Sequence, residues 1–172
     1  MTAPMSVPRI VDHPDRPYVG VLRTITMTTF GEVADRIPEL IAWLGRHGVA
    51  LAGAPFLRYR AIDMAADRLE VEAGVPIARS LEEPVEEEGA GFFAAALPAG
   101  RYATLTHHGH PDRLAGVIGD LLAWGEKEGL TWDLAERDGV ERWGCRLELY
   151  ETDPRVEPDP ANWDTTLEFR LA

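Results

Sequence analysis

A carboxylate flanked by a guanidinium and an aromatic ring is the group in this sequence most suited to chemistry. The run over residues 146–150 alternates polar and apolar side chains, which predicts a strand. Because strand side chains alternate faces, Glu148 would share one face with Arg146 and Tyr150, and the two leucines would point to the other face. Glu148 is then either a solvated residue on the open side of a sheet or an acid that meets a ligand in an aromatic-lined cleft.

The composition limits the class of protein. The chain has 172 residues, of which 45% are hydrophobic, so a single domain with a real core is expected. The formal net charge of -12 argues against direct nucleic-acid binding, which needs a basic surface. The one cysteine, Cys145, excludes an internal disulfide and is expected to be packed rather than reactive. With no membrane-length apolar run, signal peptide or phosphate-binding loop, we expect a cytoplasmic protein without a cofactor.

One sequence pattern occurs twice. Leu40-Ile41-Ala42-Trp43 matches Leu121-Leu122-Ala123-Trp124, and a glycine follows each tryptophan five residues later, at Gly48 and Gly129. Each motif lies in a run with helical spacing, between strand-like runs that precede and follow it. The repetition predicts a duplicated β-α-β-β unit rather than a solenoid.

The two units would form one α+β domain. We place the halves at residues 18–80 and 91–172, with an acidic connector at 81–90 and a loosely attached N-terminal tail at 1–17. The strands of both halves would pair in one antiparallel sheet, with the helices on one face and a ligand cleft on the other. Glu148 would then lie on the face away from the helices, near the junction of the halves.

Two local signals in the first half point in different directions. Thr29 and Glu32 have the spacing of a capping box, which predicts the start of a helix. Pro38 interrupts the apolar pattern of that helix, and the sequence alone offers no reason for it. Gly48 follows the last turn and is expected to end the helix.

Several short pieces, taken in order and with their spacing, resemble a known family. They are Gly53-Ala54-Pro55-Phe56 with Tyr59, Leu69-Glu70-Val71-Glu72-Ala73-Gly74-Val75-Pro76, Leu97-Pro98-Ala99-Gly100-Arg101-Tyr102-Ala103, Leu121-Leu122-Ala123-Trp124, and Glu148-Leu149-Tyr150-Glu151-Thr152-Asp153-Pro154. Together they resemble the GyrI-like small-molecule-binding domain, also called the AraC-type effector-binding domain. The resemblance implies an SHS2-type fold, and it covers nearly the whole chain after residue 18.

The resemblance also implies a function. Members of the family bind small, often aromatic and cationic molecules between their two halves, and some hydrolyse cyclopropane-bearing DNA alkylators. The acid of the family's E-x-Y strand maps onto Glu148. We therefore expect a stand-alone, monomeric or homodimeric binder of flat molecules that are apolar or cationic, of the kind involved in multidrug recognition. The residues expected to bind the ligand are Glu148, Tyr59, Trp143, Tyr150, Tyr102, Trp163 and Phe56.

Two other functions stay open at this stage. The chain could be a hydrolase that opens cyclopropane-bearing genotoxins, with Glu148 and Tyr150 as catalytic residues. It could instead be an acidic module that engages a basic protein, such as a gyrase or regulator partner, through the glutamates of residues 82–88. His107, His108 and His110 do not have the carboxylate spacing of a metal site, and a role for one of them in acid–base chemistry is left open.

Overall fold

The computed structural model describes residues 7–81 and 91–172. Within them the chain forms ten strands and three helices in an α+β fold. The strands are β1 (Arg9–His13), β2 (Arg16–Ile25), β3 (Phe56–Asp63), β4 (Arg68–Pro76), β5 (Phe93–Leu97), β6 (Gly100–His108), β7 (Leu134–Arg137), β8 (Val140–Trp143), β9 (Arg146–Tyr150) and β10 (Asp164–Arg170). The helices are α1 (Gly31–Ala34), α2 (Ile37–Arg46) and α3 (Leu114–Lys127). No helix in the two described ranges is long and apolar enough to cross a membrane.

One antiparallel sheet contains all ten strands and is nearly symmetric about its centre. Its order is β1-β6-β10-β9-β3-β4-β2-β5, with β8 paired to β3 and β7 paired to β8. Strands β3, β4 and β2 of the first half therefore correspond to β9, β10 and β6 of the second. The pairing of β9 with β3 joins the halves, and we call this pair the central seam. The predicted single sheet built from two similar halves is confirmed.

The edge strands are exchanged between the halves. β1 precedes the first half but pairs with β6 of the second, and β5 begins the second half but pairs with β2 of the first. β1 belongs to the segment that we expected to be a loose tail, so residues 9–13 are part of the sheet instead. Pro8 and Pro14 flank this strand, and an edge position tolerates such prolines because the missing N–H leaves no inner ladder bond unmade.

The predicted first helix is in fact two helices. The break between α1 and α2 places Pro38 in the first turn of α2, where its missing N–H costs no helical hydrogen bond. The predicted capping box of Thr29 and Glu32 is wrong, because Thr29 Oγ1 accepts from the Thr26 N–H at 2.8 Å and gives α1 no side-chain cap. Gly48 has a φ of 65°, which agrees with its expected role in ending α2.

A hairpin that we did not predict connects α3 to the last two strands. β7 and β8 are joined by Asp138 and Gly139, whose φ values of 55° and 79° are typical of a tight hairpin turn. β8 extends the sheet beside β3. The hairpin matters for the site because its last residue, Trp143, is buried in the core beneath the helices.

Both faces of the sheet carry buried residues. On the helix-bearing face, α1 and α2 contact β2 and β4, and α3 contacts β6. The helices thus lie mainly over the outer strands, with the central seam between them. The opposite face carries a smaller apolar cluster of Tyr18, Phe56, Leu97, Tyr102, Cys145, Leu147 and Leu149. The helix residues Trp43 and Leu121 are buried on the first face, so the repeated motif that contains them contributes to the core.

Candidate functional site

Glu148 lies on the helix-bearing face of the central seam. In β9 it stands opposite Leu57 of β3 and Leu167 of β10, and both leucines belong to the core that contains the helices. Leu147 and Leu149 belong to the cluster on the opposite face. The predicted division of these residues between two faces is confirmed. The prediction that Glu148 faces away from the helices is wrong.

The carboxylate of Glu148 is almost fully enclosed. The residue is 5% exposed, and its Oε1 accepts a hydrogen bond from the Tyr59 hydroxyl. Within residues 7–81 and 91–172, Tyr59 is the only hydrogen-bond partner of the Glu148 carboxylate. Burial raises the pKa of Glu148, and the Tyr59 hydroxyl and the charge of Arg146 oppose this rise without cancelling it. Glu148 therefore retains its proton to higher pH than an exposed glutamate does.

Two tyrosine hydroxyls accompany Glu148. Tyr59 is 7% exposed, and its ring packs edge-on against Phe30 with centroids 6.3 Å apart. Tyr150 is half-buried and packs against the same core. Burial, together with the charge of Glu148, raises the pKa of both hydroxyls well above the ordinary value. Both therefore remain protonated at neutral pH and can donate hydrogen bonds.

A cation lies among aromatic rings beside this acid. The Arg146 guanidinium carbon is 5.5 Å from the ring centroid of Tyr59, 5.1 Å from that of Trp143 and 4.7 Å from that of Phe169. These distances are typical of cation–π contacts. Desolvation lowers the pKa of Arg146, although Glu148 and Tyr59 act in the opposite direction. The guanidinium retains its proton because its ordinary pKa is far above neutral.

The raised pKa of Glu148 predicts a particular pH dependence of stability. A group whose pKa is raised on folding stabilises the folded state below its unfolded-state pKa, and that contribution is lost as the pH rises through the folded-state pKa. The free energy of unfolding of the wild type, minus that of Glu148→Gln, should therefore fall as the pH rises. Urea denaturation of both proteins between about pH 4 and pH 8 measures this difference.

The direction in which this stability difference changes with pH shows which effect on the pKa of Glu148 is larger, burial or the combined effect of Tyr59 and Arg146. A difference that rises with pH would mean that the hydrogen bond from Tyr59 and the charge of Arg146 outweigh burial. Glu151→Gln is a suitable control, because it removes one carboxylate from an exposed residue next to β9.

A comparison with protein families shows to which family this chain belongs. The sequence profile of the GyrI-like small molecule binding domain matches residues 6–172. The chain belongs to this family. The recognition made from the sequence is thereby confirmed, and so is the class of partner, a small molecule. No curated protein matches the sequence.

Solved structures share the fold of this GyrI-like domain at low sequence identity. The C-terminal domain of EcmrR is 16% identical with a TM-score of 0.72, over 97% of this chain and 98% of that domain. The chain spans 57% of the EcmrR chain in its complex with DNA. A hydrolase from Listeria innocua is 15% identical with a TM-score of 0.63, over 99% of this chain and 94% of that one. SAV2435, in a structure with tetraphenylphosphonium bound, is 11% identical with a TM-score of 0.52, over 96% of this chain and 94% of that one.

The GyrI-like fold brings only some of the predicted ligand-binding residues together. Tyr59, Trp143 and Tyr150 share the helix-bearing face with Glu148. Trp163 is half-buried in the loop before β10, where its Nε1 donates to the Glu157 carbonyl at 2.7 Å. Its indole N–H is thus already engaged outside the group around Glu148.

Phe56 and Tyr102 lie on the opposite face of the sheet. Phe56 is fully buried against Tyr18, with ring centroids 5.2 Å apart. The Tyr102 hydroxyl donates to the Pro98 carbonyl at 2.6 Å. The sheet separates Phe56 and Tyr102 from Glu148. The prediction that they share one pocket with Glu148 is therefore wrong.

The opposite face has polar chemistry of its own. Glu168 is 7% exposed and pairs with His13 at 2.8 Å and with Arg16 at 2.9 Å. A cavity of about 430 Å³ lies beside this group, lined by residues of β1, β6 and β10. The cavity is open to solvent, and Val7 and Glu151 also line it. Because Glu168 lines it, the cavity lies on the face of the sheet opposite to Glu148.

The remaining candidates lie apart from the group around Glu148. His108 Nδ1 is 2.7 Å from Asp164 Oδ1 on the protein surface, and His110 accepts from the Asp112 N–H. Cys145 is fully buried, as expected. The acidic run at 82–88 lies outside the described residues, so the proposed protein-binding role of that run stays a prediction.

Two residues near the site were not predicted from the sequence. Phe169 of β10 forms one wall around Arg146, and Phe30 packs against Tyr59. For Phe169 a signal existed, since it alternates with Glu168 in a predicted strand. For Phe30 no local pattern was available, because it precedes a short helix and reaches Tyr59 through tertiary packing.

Proposed function

We propose that this GyrI-like domain binds flat aromatic molecules, neutral or cationic, over the central seam, with Glu148 as the acid that contacts them. The observation that carries the proposal is the enclosed carboxylate itself. A buried carboxylate is costly unless it is paired, and among the described residues only the Tyr59 hydroxyl hydrogen-bonds to Glu148. A cationic or donor-bearing ligand would supply the partner that the fold leaves out.

The surroundings of Glu148 support a flat ligand. Tyr59, Tyr150 and Trp143 offer aromatic surface on the same face. The helices contact β2, β4 and β6 more than the two strands of the central seam, so we expect the ligand to bind over the seam, between the helices. Aromatic rings favour stacked or edge-on contacts with other rings, which adds to the apolar area that a flat ligand buries.

One relative supports the cationic and aromatic part of this ligand class. SAV2435 is described with tetraphenylphosphonium, a cation that carries aromatic rings. The likeness of that protein to this chain is a likeness of fold, so the ligand is a guide to the chemistry to be tested and not an assignment.

A matched pair of ligands tests the proposal. N-methylquinolinium and methylnaphthalene have nearly the same shape, and only the first is charged. Both should quench tryptophan fluorescence on binding, because Trp143 borders the site. Glu148→Gln should weaken N-methylquinolinium by about 1–2 kcal/mol and methylnaphthalene by much less. The expected loss is modest because Arg146 already balances part of the Glu148 charge.

The outcomes separate three situations. Equal losses for both ligands would mean that Glu148 shapes the site without responding to charge. An equal loss in Glu151→Gln would mean that the effect is not specific to Glu148, because Glu151 is an exposed residue that lines the cavity on the opposite face. If the wild type bound neither ligand below millimolar concentration, the proposed function would be contradicted.

Hydrolysis of a strained ring is the second candidate function. The observation in its favour is the hydrogen bond from the Tyr59 hydroxyl to the buried Glu148 carboxyl group, because burial raises the pKa of Glu148 and a protonated carboxyl group can act as a general acid. Water would form a C–O bond to one ring carbon as a C–C bond of the ring breaks, and Glu148 would protonate the group that receives the electron pair of that bond. The attacking water would return a proton to Glu148, and Tyr150 would orient the substrate. A cyclopropane-bearing alkylator should then be opened with repeated turnovers by the wild type and not by Glu148→Gln. Product that never exceeds the amount of protein would show sequestration instead.

A further inference from the structure

The side chain of Arg146 is half-buried, and no residue of the described ranges accepts a hydrogen bond from its guanidinium. Its Nε is inaccessible to solvent and has no partner, and within the described ranges no residue accepts a hydrogen bond from either Nη. The rings of Tyr59, Trp143 and Phe169 surround it but accept no conventional hydrogen bond. Of the five N–H donors of a guanidinium, the Nε–H of Arg146 is thus buried without an acceptor, and the Nη donors have no protein acceptor in the described ranges.

The nearby acidic groups do not meet this demand. Glu148, Tyr59 and Glu141 act on the charge of Arg146, yet no ion pair within 4.0 Å joins Arg146 to a carboxylate in the described part of the chain. Glu148 Oε1 is engaged with the Tyr59 hydroxyl, and Glu141 Oε1 accepts from Trp143 Nε1 at 3.0 Å. Partial desolvation of a cation without a protein acceptor costs free energy, and an acceptor brought by a ligand would reduce that cost.

Arg146 and Glu148 also form a pair with a defined spacing. They are two residues apart on one face of β9, so their Cα atoms are about 6.7 Å apart. Arg146 provides hydrogen-bond donors and Glu148 provides acceptors, and both contact Tyr59. A ligand that lies along β9 would therefore meet a donor site and an acceptor site in succession.

We propose that the ligands of this site carry an oxygen acceptor, as a carbonyl, amide, nitro or carboxylate group, that binds the Arg146 guanidinium while the flat body lies against the rings. The proposal rests on the proposed function and narrows it, because a purely hydrocarbon or purely cationic ligand would leave Arg146 without a partner. Ligands that also present a donor to Glu148 would use both ends of the pair.

Three probes of one shape test this. Acetylnaphthalene carries a carbonyl, isopropenylnaphthalene replaces its oxygen with a methylene group, and naphthylmethyl trimethylammonium carries a cation. Calorimetric titration of the wild type should give acetylnaphthalene about tenfold tighter binding than isopropenylnaphthalene, the scale of one charge-assisted hydrogen bond. Arg146→Met retains much of the apolar stem and should remove this preference.

Two controls keep the result interpretable. Arg155→Met removes a cation from a side chain that is 83% exposed and should leave all three affinities unchanged. Arg146→Lys keeps the charge but loses the planar fork, so it should retain only part of the carbonyl preference. The wild-type comparison of the two neutral probes needs no variant, so a variant that fails to fold does not remove the test.

Each outcome has one meaning. Binding of both neutral probes with equal affinity would overturn the role of Arg146 and leave the proposed function standing. Tighter binding of every probe by Arg146→Met would also overturn it, because the guanidinium would then be an obstacle in the site. If the wild type bound none of the probes, the proposed function itself would fail.

Discussion

Trp143→Ala is expected to lower the free energy of unfolding by about 3–5 kcal/mol, the cost of removing a large buried aromatic side chain. Trp143 is 5% exposed and lies at the centre of an aromatic group. Its ring centroid is 5.4 Å from that of Phe169 and 6.1 Å from that of Trp132. The Arg146 guanidinium lies over the same ring, so the substitution also removes one wall of the candidate site.

Urea denaturation followed by circular dichroism measures this loss. Trp163→Ala is the matched control, since Trp163 is half-buried in a loop and outside both apolar clusters. It should lose clearly less stability than Trp143→Ala. Equal losses in the two variants would contradict the central position that we assign to Trp143.

Gly125→Ala is expected to destabilise the protein by about 1–3 kcal/mol, the typical cost of overfilling a packed core. Gly125 is buried in α3, and a Cβ there would lie 2.2 Å from Cζ2 of Trp132. Trp132 would have to move, and it packs against Phe169 with centroids 6.0 Å apart. Strain at Gly125 should therefore reach the rings that surround Arg146.

The same helix contains a control position, Gly119, at which alanine is expected to raise the free energy of unfolding instead of lowering it. Gly119 is exposed, and a Cβ there would meet no atom within 4 Å. Gly119→Ala should stabilise the protein by about 0.5–1 kcal/mol, because alanine loses less backbone entropy in a helix than glycine does. If Gly125→Ala also stabilised the protein, the close packing of Gly125 on Trp132 would be contradicted.

The fold could be predicted because its signals are local and repeated. The matched motifs that end in Trp43 and Trp124 lie in α2 and α3, and the strand-like runs around them became the paired halves of the sheet. The exchange of β1 and β5 could not be predicted in this way. Each edge strand pairs with a strand of the other half, and such non-local pairing leaves no pattern in a single short run.

The face of the sheet that carries Glu148 was predicted wrongly for a physical reason. Alternation along β9 correctly separates Glu148 from Leu147 and Leu149, but it does not indicate which side the helices cover. Both faces of this sheet are buried, so the apolar leucines do not mark the helix-bearing one. The partner of Glu148, Tyr59, was found by its aromatic type, whereas its hydrogen bond depends on the pairing of β3 with β9.

A crystal structure of the protein with N-methylquinolinium bound would test most directly where the ligand binds. We predict that the ring system lies on the helix-bearing face, against Tyr59 and Tyr150, within contact distance of the Glu148 carboxylate. The protein offers a clear alternative, the cavity of about 430 Å³ on the opposite face beside His13 and Glu168. A ligand found in that cavity, with the surroundings of Glu148 unchanged, would contradict our placement of the site.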